Sequence, residues 1–234
     1  MYLMRFLFVF LLLGATNLFA QTTGEDKLGN WLMYFGNNKL SDKYSIHTEA
    51  QLRLYETAGN FNQLLLRVGL NRQISPQSMV TLGYGYIPTE SFSKDETKVN
   101  TREHRIWEQL ILTNKVGRVY FEHRYRLEQR WISSSAAEDS YLNRARYRLL
   151  ANIPLNNAQM DEKTLFLSVY DEIFLNINDN PFDQNRLYGA LGYKFSKSFS
   201  MQAGYLRHRL GKANFDRLQL GLFLNTDFSK SSAN

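Results

Sequence analysis

The chain has 234 residues, a formal net charge of +6 and no cysteine, which excludes a disulfide framework, a thiolate metal site and a lipid anchor on an N-terminal cysteine. Aromatic residues make up 14% and charged residues 21%, with a mean hydropathy of −0.40. The basic excess is spread among apolar residues rather than gathered in a tail, so nucleic acid is not an expected partner.

Residues 1–20 have the layout of a secretory signal peptide: one cation at Arg5, an unbroken apolar run over 6–13, and Leu18, Phe19 and Ala20 leading into Gln21. Leu18 is larger than the residue usual at its position, and cleavage is expected after Ala20. The run is too short to cross a bilayer as a helix, which takes roughly 20 residues. Export is therefore expected.

The next segment, 21–42, contains an apolar stretch at 30–36 (Asn-Trp-Leu-Met-Tyr-Phe-Gly). It reads as an extra strand or, since an eleventh strand would make the count odd, as a segment in a lumen or at a rim. From 43 onward, period two dominates. Tyr44, Ile46, Thr48, Ala50 and Leu52 alternate with Ser45, His47, Glu49, Gln51 and Arg53, and Leu64, Leu66, Val68 and Leu70 with Gln63, Arg67, Gly69 and Asn71. The pattern recurs around 80–86, 119–131, 141–153, 187–195 and 199–205. Segments 102–114 and 163–177 are apolar but alternate less cleanly. The last strand is the clearest: Leu218, Leu220, Leu222, Leu224 and Phe228 against Arg217, Gln219, Gly221 and Asn225.

Turns are expected at 75–77, 115–116, 196–198 and 212–213, longer polar loops at 89–101, 133–139 and 178–183, and a medium turn at 154–162. Counting back from Phe228 gives about ten strands over 43–228, or twelve if one was missed; an odd count conflicts with the even numbers of bacterial single-chain barrels. Residues 229–234 form a tail. The expected fold is all-β, a closed antiparallel transmembrane barrel. Strands of about 11–15 residues exceed the usual 5–6 of globular proteins, which disfavours a soluble barrel or sandwich. Trp131 and Tyr141 at one strand end, with Phe195, Phe199 and Phe228 at the other, are placed as interfacial girdles.

Four stretches carry a family resemblance: residues 103–109 (Glu-His-Arg-Ile-Trp-Glu-Gln), 124–130 (Arg-Tyr-Arg-Leu-Glu-Gln-Arg), 170–174 (Tyr-Asp-Glu-Ile-Phe) and 184–188 (Gln-Asn-Arg-Leu-Tyr). They resemble the family catalogued as domain of unknown function 2490, outer-membrane barrels of Gram-negative bacteria. The resemblance spans essentially the whole mature chain. It implies fold and location, and it brings no activity.

The polar faces converge on a lumen. Joining the strand before 133–139 to the one after it sets Glu128 opposite Arg144, Arg126 opposite Arg146 and Arg124 opposite Arg148. Like charges opposed across strands are unfavourable, so carboxylates must interleave. The expected lumen network comprises Glu49, Arg67, Glu122, Arg124, Arg126, Glu128, Arg130, Arg144, Arg146, Arg148, Glu172, Arg186 and Arg217. Gly69, Gly83, Gly85, Gly192, Gly204 and Gly221 share this face, making room for long arginines.

A two-residue turn at 115–116 pairs Glu108 with His123 on the outward face, an anomaly for a lipid surface. No nucleophile elbow, zincin motif or phosphate loop occurs, and no catalytic residue, metal site or cofactor is assigned. The expected role is structural in the envelope, or low-specificity, porin-like passage of small solutes. A lipid-modifying enzyme and a surface-binding protein acting through external loops are the alternatives. Expected partners are outer-membrane lipid and the barrel-assembly machinery, recognising strand 216–228; a homo-oligomer stays open.

Overall fold

A computed structural model describes residues 24–93, 95–177 and 180–229; the expected signal peptide lies outside them. Eleven strands follow in order: β1 (Gly29–Lys39), β2 (Tyr44–Leu54), β3 (Phe61–Ser75), β4 (Ser78–Phe92), β5 (Lys98–Val116), β6 (Val119–Ser134), β7 (Ser140–Pro154), β8 (Thr164–Asn176), β9 (Phe182–Lys194), β10 (Phe199–Leu210) and β11 (Ala213–Asp227). Each pairs with its sequence neighbours, and β1 pairs with β11 to close the barrel. Closure leaves no free sheet edge among these strands.

The count of ten or twelve is corrected to eleven. Segment 30–36 is neither in the lumen nor at the rim but in the wall, inside β1. An odd number of up-and-down strands makes the first and last run the same way. The seam is accordingly parallel, with Leu32 beside Leu220 and Tyr34 beside Leu222, while every other pair is antiparallel. The segment hides its alternation because Trp31 and Met33, its inward residues, are as apolar as the outward Leu32.

Two turns also move. The β5–β6 hairpin turns at 117–118, where Gly117 takes φ +58°, and the β10–β11 hairpin at 211–212, where Gly211 takes φ +56°. Two-residue hairpins favour positive φ, which glycine adopts without steric cost, and this overrides the expected turns at 115–116 and 212–213. The expected long loop at 89–101 is mostly strand, since β4 runs to Phe92 and β5 starts at Lys98.

The polarity is inverted relative to a soluble domain. Leu66, Val68, Leu70, Leu82, Ile106, Leu127, Leu187, Leu191 and Leu218 are exposed on the outer surface, Leu82 at 59%. Glu49, Arg67, Arg105, Arg126, Glu128, Arg144, Arg146 and Glu172 are buried inside. Trp131 packs tilted against Tyr141 at one rim and Phe195 stacks on Phe199 at the other, with centroids 5.2 and 5.3 Å apart. The rim where β1 begins is called upper below, and the rim where β11 ends lower.

Candidate functional site

Inward side chains of β2 to β8 form a layer of ion pairs across the lumen. Glu128 of β6, 1% exposed, is its centre. Its Oε1 accepts from Arg105 Nη1 at 3.1 Å and Arg146 Nη1 at 2.6 Å; its Oε2 accepts from Arg144 Nε at 2.9 Å and Nη2 at 2.7 Å. Arg67 approaches Glu128 at 3.6 Å and donates to Glu49 at 3.2 Å. Arg146 also donates to Glu172, which accepts from Arg124 at 2.7 Å as well. Register makes this possible: Arg144, Arg146 and Arg148 stand opposite Glu128, Arg126 and Arg124 across β6–β7. Arginine suits the layer because its fork reaches two carboxylates and stays charged.

Around this centre, Glu122 pairs with Arg148 at 2.5 Å. Arg130 grips both oxygens of Glu103, at 2.8 and 2.9 Å. Glu103 and Arg105 escaped the sequence reading of the network, although Glu103, Arg105, Trp107 and Gln109 share one parity; segment 102–114 was obscured by the apolar Trp107 among them. Asp183, at 2.8 Å from Arg144, was also missed.

Two expected members sit outside the ion-pair web. Arg186 donates to Gln184 and lies over Trp31 and Phe174. Arg217 donates to the backbone oxygens of Glu25 and Lys27 near the upper rim. Neither has a carboxylate partner among the described residues. Arg53, 3.9 Å over Trp31, joins them on this aromatic side of the lumen.

Of the glycines expected to make room for arginines, Gly85 does so, an added Cβ there lying 3.2 Å from Arg67 Cγ, whereas Gly83 and Gly192 do not. A Cβ on Gly83 would lie 2.4 Å from the indole of Trp107, and one on Gly192 would lie 2.2 Å from the ring of Phe166. These positions seat aromatic rings rather than arginines. Trp107 is fully buried, and Arg126 lies over its ring, with the guanidinium carbon 4.5 Å from the centroid.

Below the charged layer, toward the lower rim, lies a cavity of about 450 Å³. Met160 of the loop at 155–163 lines it, and that loop is tied across the rim by Lys194 Nζ on Met160 O at 2.7 Å and by Arg118 on Pro154 O and Asn157 O. In the upper-rim loop at 93–97, the Asp95 carboxyl is held below its usual range by hydrogen bonds from the Ser93 and Thr97 hydroxyls.

The proposed pairing of Glu108 with His123 is corrected. With the turn at 117–118, Glu108 stands opposite Leu127 and His123 opposite Leu112. Glu108 accepts from Gln129 at 3.2 Å, whereas His123 Nδ1 meets Tyr147 Oη at 2.9 Å. Among the described residues no group of three His, Asp or Glu side chains is set to hold a metal ion.

A family model described as "Protein of unknown function (DUF2490)" matches residues 28–219. No match is found among curated proteins or among solved structures.

Proposed function

Starting from a chain that belongs to the family of unknown function DUF2490, which carries no activity with it, we propose that the barrel sits in the outer membrane and serves there with its lumen closed. The observation that carries this is the inverted polarity: an apolar outer wall around a lumen crossed by ion pairs. Water around the outside would leave that wall unsolvated, whereas lipid matches it. Strands with their backbone paired around a closed ring satisfy what a hydrocarbon layer demands. The aromatic pairs at both rims fit the two interfaces.

A lumen filled by arginines and carboxylates supports a structural envelope role over free passage, as small barrels pack their interiors with side chains. Lipid and the barrel-assembly machinery, engaging β11, are the proposed partners. The lipid-modifying alternative draws no support from Glu108 and His123, which are not opposed in the register. The deciding experiment is fractionation of cells producing the full chain. Recovery in the outer membrane, resistant to alkaline wash and starting at Gln21, is expected; release as a soluble periplasmic protein overturns the proposal.

A further inference from the structure

The cavity toward the lower rim has a mixed lining. Phe35, Phe166 and Phe223 face it from β1, β8 and β11, and Arg124, Arg126 and Arg148 from β6 and β7, with Glu49, Glu122 and Lys194 also in the lining. Its volume of about 450 Å³ falls within the roughly 300–1,000 Å³ of small-molecule sites, which combine an apolar lining with a few polar groups.

Charge does not balance among these arginines. Glu122 is taken by Arg148, and Glu172 is shared by Arg124 and Arg146. Arg126, 3% exposed, has one ion pair among the described residues, a 3.9 Å approach to Glu128. Glu128 is already engaged by four closer arginines, Arg67, Arg105, Arg144 and Arg146. Arg126 Nε and Nη2 both donate to the neutral Gln109, and Nη1 has no acceptor among the described residues. A buried cation whose one counter-charge is distant and shared is costly. An anion in the cavity relieves that cost, and a flat apolar body on the anion covers the phenylalanines.

We propose that this cavity binds a small organic anion, a carboxylate carried on an aromatic ring system, with the carboxylate held at Arg126 and the ring against Phe35, Phe166 and Phe223. Arg124 and Arg148 flank the carboxylate and favour it over a neutral analogue. The site depends on the lumen alone, so it stands or falls apart from the membrane location.

The test is calorimetric titration of the purified, folded chain in nonionic micelles with 2-naphthoate and with 2-naphthylmethanol, each corrected for binding to empty micelles. The acid is expected to bind one to one, about tenfold or more tighter than the alcohol. Arg126→Met should bring the acid down to the level of the alcohol while the fold persists, since exchanging an under-neutralised buried cation for an apolar side chain is tolerated. Equal affinity for acid and alcohol, or no binding of the acid, overturns the proposal on the wild type alone, whether or not the variant folds. So does unchanged acid binding in a folded Arg126→Met, or inorganic sulfate binding as tightly as the acid. Membrane fractionation with no naphthoate binding would sink this inference alone; naphthoate binding by a soluble periplasmic chain would sink only the location.

Discussion

Arg126 lies over Trp107, and that indole packs so close to Gly83 that an added Cβ there would come within 2.4 Å of the ring. The strand glycine and the lumen cation are thus coupled through one side chain. Gly83→Ala is expected to displace Trp107 and to destabilise the barrel by about 1–3 kcal/mol, the usual cost of overpacking. Gly189→Ala, where a Cβ meets nothing within 4 Å, is expected to leave the urea midpoint in micelles unchanged. Equal midpoints for the two variants would refute this account of Trp107.

Glu128 holds three arginines at hydrogen-bonding distance, so its loss leaves several buried cations without their shared counter-charge. Glu128→Ala is expected to cost about 3–5 kcal/mol. Arg53→Ala removes a cation with no carboxylate partner among the described residues and should cost less. Unfolding of both variants in the same micelles gives the comparison, and a larger loss for Arg53→Ala would count against a layer centred on Glu128.

The absence of cysteine allows register to be read by disulfide trapping. Glu108→Cys with Leu127→Cys should cross-link on mild oxidation, because directly opposed residues have Cα atoms about 4.5–5.5 Å apart. Glu108→Cys with His123→Cys should not. At the seam, Leu32→Cys with Leu220→Cys should also cross-link. A barrel of ten strands closed by β2 on β11 would give no such product.

In planar bilayers the wild type is expected to show no steady open current, since ion pairs cross the lumen from β2 to β8. A sustained conductance from the purified protein would show that the charged layer leaves a continuous water path.

Much of the wall was legible in the sequence because a strand with one apolar face writes its register in period two. The β6–β7 arginine ladder could be paired by residue, since the charges fix parity on both strands and the loop at 133–139 sets which residues are opposed. What stayed hidden had a common cause, apolar residues on the inward face. Trp31 and Met33 erased the alternation of β1, and Trp107 that of β5, which concealed Glu103 and Arg105. The Glu108 pairing failed for a different reason. The expected turn at 115–116 lies two residues before the one the backbone makes at Gly117, and a displaced turn alters every partner along the hairpin.

The parallel seam also sets an order of events. Gly29 meets Arg217, so the first strand finds its second partner only after nearly the whole chain has been made. All other neighbours are joined by local loops and can zip as they emerge, because closing a short loop costs little entropy. Until β11 arrives, β1 offers a bare row of amides and carbonyls, a template open to any passing strand. The last step of folding is therefore a contest for that row, and truncations that delete β11 are expected to leave a chain prone to pairing with its own copies.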